Sequence, residues 1–162
     1  MKTKTLQDLY VDELKDLYSA ENQLIHALPK MVKAAQSAEL QQAFSNHLEE
    51  TKVHAQRIEE IVAEIHASAK GKKCVGMEGL IAEGKEVMEE DFEEGVMDTA
   101  LIAAAQRVEH YEMAGYGCAR AMAETLGYPK AAKLLQQTLD EEKAADEHLT
   151  QIAEMQAREY VR

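Results

Sequence analysis

Tryptophan is absent from this chain, and proline, cysteine and phenylalanine each occur only twice. With so few helix breakers and so few aromatic residues, the composition favours helices over sheet. The two cysteines, Cys74 and Cys118, stand far apart and form no C-x-x-C pair. Free thiols are the expected state, and a disulfide would need the fold to bring the two together. Basic residues are also scarce, 18 against 30 acidic, for a net charge of −12. A nucleic-acid backbone or an anionic membrane surface is therefore not an expected partner. No apolar run approaches a membrane span, and the opening MKTKTLQDLY has no signal-peptide core, so a cytoplasmic location is expected.

What the chain does have is apolar residues at helical spacing almost throughout, in a length of 162 residues that suits one domain, 1–162. Leu6, Leu9, Leu14, Leu17, Leu24, Leu28 and Met31 predict a first helix over about residues 5–36, with Pro29 expected to kink or break it. Leu40, Ala43, Phe44, Ile58, Ile61 and Ile65 predict a second, ending near Gly71. A Gly-containing connection follows, with a short helix expected around 77–90. Val87, Met88 and Phe92 in this connection are outward apolar residues and candidates for a dimer surface. A third long helix runs from Asp98, read as an N-cap, to Leu126, with Gly127 as its stop. The fourth starts near Pro129. Two pairs of long helices joined by one long crossover make an all-α, ferritin-like four-helix bundle whose crossover carries a short fifth helix.

Four plain amphipathic helices would need no charge inside. At about 100° per residue, however, Glu21 falls on the apolar face of the first helix, and Glu50 and His54 on that of the second. Glu109 and Glu112 share the inner face of the third, and Glu142 and Asp146 that of the fourth, while His26, His110, Glu141 and His148 point elsewhere. His47 also lies inward, one turn before Glu50. An unpaired buried carboxylate costs several kcal/mol or takes up a proton. Six of them, with only Arg57 near enough to neutralise one, call for cations. Oxygen with imidazole ligation suits iron or manganese. EETKVH (Glu49 to His54) and EEKAAD (Glu141 to Asp146) repeat one pattern, and the Glu21–Glu50 spacing nearly equals Glu112–Glu142. A two-fold-related pair of metal sites is the product expected of such a duplication. Tyr18, Tyr116 and His47 are candidates for orienting the ligands.

The segments DLYSAENQLIHALPKM, HLEETKVHAQRIEEI, ALIAAAQRVEHYEMAGYG and LLQQTLDEEKAADEHLTQIA resemble the YciE/YciF-type stress proteins of bacteria, a branch of the ferritin-like superfamily. CVGMEGLIAEGKEVME in the crossover is similar too, so the resemblance covers nearly the whole chain. It implies a ferritin-like bundle with a dinuclear metal centre, usually iron, and commonly a homodimer linked to stress responses. Carried over, its ligands are Glu21, then Glu50 with His54, then Glu109 with Glu112. The usual ferritin-like motif is Glu-x-x-His. Here Glu50/His54 and Glu142/Asp146 are one residue wider, and the fourth helix offers a carboxylate where histidine is usual. A harder, more oxygen-rich set leaves manganese open.

Two functions follow as expectations. One is a di-iron oxidase that oxidises Fe(II) with O2 or peroxide. Without C-x-x-C pairs it would draw electrons from Fe(II) itself or from a separate donor. The extra helix sits in the crossover rather than after the fourth helix, so nothing supports a storage cage. The other is a non-catalytic helical dimer in which metal is structural or absent.

Overall fold

The computed structural model describes residues 3–93 and 95–160, with side chains described as far as Arg158. Five helices follow in order: α1 (Leu6–Ala34), α2 (Ala38–Glu64), α3 (Val75–Glu89), α4 (Val96–Thr125) and α5 (Pro129–Tyr160). α1 packs chiefly on α2 and α4 on α5; α1 also meets α4 and α2 meets α5, which closes the four-helix bundle. The short α3, in the crossover, lies against α4 and α1. Among the described residues no helix is long and apolar enough to cross a membrane.

The helix ends follow local chemistry. Thr5 and Asp8 form a reciprocal capping box at the start of α1. Pro29 does not break α1, which continues to Ala34; the proline removes one amide donor near a helix end already held by packing. α2 stops at Glu64, well before Gly71. Its stop is His66, at φ 53°, with Ala67 N–H donating to Val62 O (2.9 Å) and His66 N–H to Ala63 O (3.1 Å). This is a Schellman closure built on a non-glycine residue, so no glycine signals it. Gly127, at φ 79°, closes α4 in the same way, with Tyr128 N–H on Ala123 O at 2.8 Å.

Asp98 is not the N-cap of α4; Gly95 occupies that place. Asp98 sits in the first turn, buried, and accepts the backbone N–H of Gln36 (2.6 Å) and Ser37 (2.8 Å) and the amide of Gln156 (3.2 Å). It ties the α1–α2 connection to the start of α4 and the last turns of α5, which meet it at the same end of the bundle. Val87 and Met88 are half-buried against the core rather than turned outward, and Phe92 is half-buried too. Cys74 is buried as the N-cap of α3, and Cys118 is exposed; both are free thiols.

The apolar core is in two blocks. One gathers Leu24, Leu28, Phe44, Leu101, Val108 and Leu149. The other gathers Leu14, Leu17, Ile58, Tyr116, Leu135 and Leu139. Between them, at mid-height of all four long helices, runs a buried layer of Glu21, His47, Thr51, His54, Glu109, Glu112 and Glu142.

Candidate metal centre

Each residue of this layer stands where its helix passes between the two apolar blocks. Glu21 follows Leu17 by one turn and precedes Leu24 by another; Glu142 stands likewise after Leu139. Helical spacing therefore forces these carboxylates inward, while long flanking apolar stripes hold the helices in place. The layer resolves into two groups of donor atoms, each within 4.8 Å of one another: His47, Glu109, Glu112 and Glu142, and Glu21, His54 and Glu142. Glu142 belongs to both.

Within the first group, His47 Nε2 lies 3.0 Å from Glu109 Oε1 and 3.8 Å from Glu142 Oε2. In the second, His54 Nδ1 lies 2.9 Å from Glu142 Oε1 and 3.5 Å from Glu21 Oε1. The opposite nitrogen, His54 Nε2, is 2.8 Å from Glu141 Oε2. Because Arg57 grips Glu141 with contacts of 2.5 and 3.0 Å, that carboxylate is an anion and accepts the Nε2–H. This leaves Nδ1 facing the group, the arrangement in which a carboxylate orients a metal-binding imidazole. His47 repeats it: Nε2 faces inward and Nδ1 lies 3.7 Å from Glu50 Oε2 at the surface. Tyr116 donates its hydroxyl to Glu21. Tyr18 is directed outward instead, to Glu59.

The electrostatics are those of too many acids in too little water. Burial, then the charges of Glu142, Glu21 and Glu109, push Glu112 well above the ordinary carboxylate range. Burial also raises Glu109, against the pull of His47. Burial works against Glu142 as well, but the close approach of His54 and Glu109 and the nearby imidazolium charges hold it low. For His54, burial opposes the charge, yet contacts with Glu142 and Glu21 outweigh it and raise the ring to about 10. Both oxygens of Glu112 and of Glu142, one of Glu21 and of Glu109, and Nδ1 of His54 are buried without a hydrogen-bond partner among the described residues. Such orphaned oxygens beside imidazole nitrogens form a donor set that can hold a metal ion, so the residues fit the metal centre that the resemblance implies.

Of the seven residues singled out from sequence, Glu21, His54, Glu109, Glu112 and Glu142 meet in these groups. Glu50 and Asp146 do not. Glu50 sits on the rim of α2, its side chain 48% exposed, beside His47. Asp146 is half-buried and faces His110, 3.2 Å from its Nε2; its short side chain stops one turn from the layer. His47, read from sequence only as an inward partner, takes a donor place in the first group. A cavity of about 250 Å3 among the four long helices, with the exposed Glu50 and His148 in its lining, reaches His47 and Glu109.

The family described as "Domain of unknown function (DUF892)" matches residues 5–162. The chain is 52% identical over 154 residues to protein YciF of Escherichia coli (strain K12), covering 94% of this chain and 93% of YciF. It superposes on the crystal structure of the E. coli stress protein YciF with a TM-score of 0.93 at 50% identity, covering 96% of this chain and 99% of that one. YcfI from Rhodopseudomonas palustris follows with a TM-score of 0.87 at 39% identity, covering 91% and 94%. A protein from Xanthomonas campestris pv. campestris shares the fold alone, with a TM-score of 0.76 at 17% identity over 96% and 95% of the chains.

Proposed function

The chain belongs to the DUF892 family, and from that premise and its buried ligand layer we propose a stress-related protein with a dinuclear carboxylate centre, iron or manganese, that oxidises Fe(II) with O2 or peroxide. One observation carries the reading. Two groups of buried donor atoms share Glu142, so one carboxylate faces both metal positions. A bound pair of iron ions supplies two electrons at once, each Fe(II) becoming Fe(III) as O2 or peroxide is reduced by two electrons.

The chain's residues supply the rest. Glu21 and His54 would hold one ion and His47, Glu109 and Glu112 the other, with Glu142 in both groups. Glu141, held by Arg57, fixes the His54 ring. Tyr116 fixes Glu21. The two apolar blocks keep water from the layer above and below, which strengthens every charge interaction inside it. Burial pushes the carboxyls of Glu112 and Glu109 towards the protonated form, so binding of metal there would release protons. The cavity at His47 gives a small oxidant access. A cytoplasmic homodimer is the setting we infer for it, with Fe(II) itself or a separate donor as the source of electrons.

Stopped-flow absorbance after mixing the protein with Fe(II) and then O2 or peroxide tests the proposal. Oxidation faster than in buffer, and lost in Glu112→Ala, is the expected result. Stoichiometric metal without faster oxidation would leave a structural metal, and no bound metal would leave a helical dimer.

A further inference from the structure

A second cavity, of about 760 Å3, opens between α1, the connection after α2, α3 and α4. None of the residues of the carboxylate layer lines it. Its floor is apolar, with Leu24, Met31, Leu80, Ile81, Met88 and Val108. Its rim is cationic: Lys15, Lys30, Lys70, Lys73 and Lys85 line it, and no aspartate or glutamate does. In a chain with 30 acidic and 18 basic residues, that segregation of charge is the opposite of what the average surface offers.

Two of these lysines are already neutralised, Lys73 by Glu78 at 2.5 Å and Lys85 by Glu89 at 3.6 Å. Lys15 lies in the field of Asp12, its aliphatic stem against Gly71. Lys30 and Lys70 face the opening with no ion-pair partner among the described residues. An apolar floor beneath free ammonium groups complements a molecule with an apolar body and an anionic head. The volume falls within the roughly 300–1,000 Å3 of small-molecule sites. A peptide helix about 10 Å across fills roughly 420 Å3 per turn. The cavity would hold less than two turns, short of the i to i+7 anchors that helix-in-groove recognition uses.

We propose that this cleft is a binding site for a single-chain amphiphilic anion, a long-chain carboxylate, with its chain on the Leu24–Met31–Val108 floor and its head between Lys30 and Lys70. The site is separate from the carboxylate layer and does not require it to hold metal.

Titration calorimetry of the purified full chain with sodium dodecanoate, below its micelle concentration, tests this. One saturable site is expected, with binding at least ten-fold weaker for dodecyltrimethylammonium and undetectable for acetate. The double variant Lys30→Glu with Lys70→Glu, both exposed, is expected to weaken dodecanoate at least ten-fold. Ala27→Trp, which fills the floor, is expected to abolish it, while Glu112→Gln leaves it within two-fold. Should Ala27→Trp not fold, the lysine pair alone decides. Absence of saturable binding overturns the proposal, as does equal affinity for the cationic amphiphile. Loss of binding in Glu112→Gln would move the carboxylate to the acidic layer and also overturn it. Self-association that the lysine variant abolishes would assign the cleft to a second copy of the chain, with the same consequence.

Discussion

Nδ1 of His47 lies 3.7 Å from Oε2 of Glu50, yet the two side chains, one helical turn apart on α2, are 7% and 48% exposed. The buried stripe of α2 runs Leu40, Phe44, His47, Thr51, His54, Ile58 and Ile61, in steps of four and three. Glu50 stands one residue off that stripe. His47 therefore supplies a donor to the inner group, and Glu50 orients it from outside. His47→Ala is expected to lower bound metal from two ions per chain to one. Glu50→Gln is expected to keep two. Metal analysis of both purified variants decides, and an equal loss in each would show Glu50 to be a ligand as well.

Glu112 gives opposite effects with and without metal. Its folded-state pKa is raised above the 4.5 of the unfolded chain. The raised group's stability is therefore fully present below pH 4.5 and lost as pH rises towards the folded value. That loss amounts to about 1.4 kcal/mol per pH unit. Metal-free Glu112→Gln is expected to match the native chain near pH 4 and to exceed it in stability at pH 7. In the presence of Fe(II) or Mn(II) the order reverses, because the variant has lost a ligand. Urea unfolding at both pH values, with metal and with chelator, reads both halves.

Metal binding should release protons. Burial holds Glu109 above the ordinary carboxylate range, and His54 is raised to about 10 by Glu142 and Glu21 after burial is overcome. Both must lose a proton to become ligands. Adding Mn(II) to lightly buffered protein at pH 7 is expected to acidify the solution, and affinity is expected to climb from pH 6 to 8. Affinity independent of pH would mean that the ion binds outside this layer.

Asp98 serves stability alone. Its carboxylate accepts two backbone N–H groups of the α1–α2 connection, at 2.6 and 2.8 Å, in a buried setting. Asp98→Ala strands both donors and is expected to cost about 2–4 kcal/mol. Metal stoichiometry should not change. Chemical denaturation and metal content of the same sample check both statements.

Helical periodicity made most of this architecture readable beforehand. Glu21, Glu109, Glu112 and Glu142 each interrupt an apolar stripe at its centre, where a rotation of 100° per residue leaves no ambiguity about direction. Glu50 stands one residue off the stripe of α2 that carries His47 and His54, closer than that resolution, and only packing against α4 and α5 separates it from them. Asp146 continues the stripe of α5, but side-chain length and the pull of His110 lie outside any periodicity argument. Asp98 was legible as a residue that binds free amides, and the amides it binds belong to a connection 61 and 62 residues away in sequence. The left-handed stop at His66 had no glycine to announce it.

We propose that two metal ions sit side by side within the bundle, with Glu142 facing both. A crystal of the protein grown or soaked with Fe(II) under anaerobic conditions, measured at the iron absorption edge, tests it most directly. Two anomalous peaks are expected, one among His47, Glu109, Glu112 and Glu142, the other among Glu21, His54 and Glu142. A bundle interior without a peak, or with iron only at surface carboxylates, would contradict it.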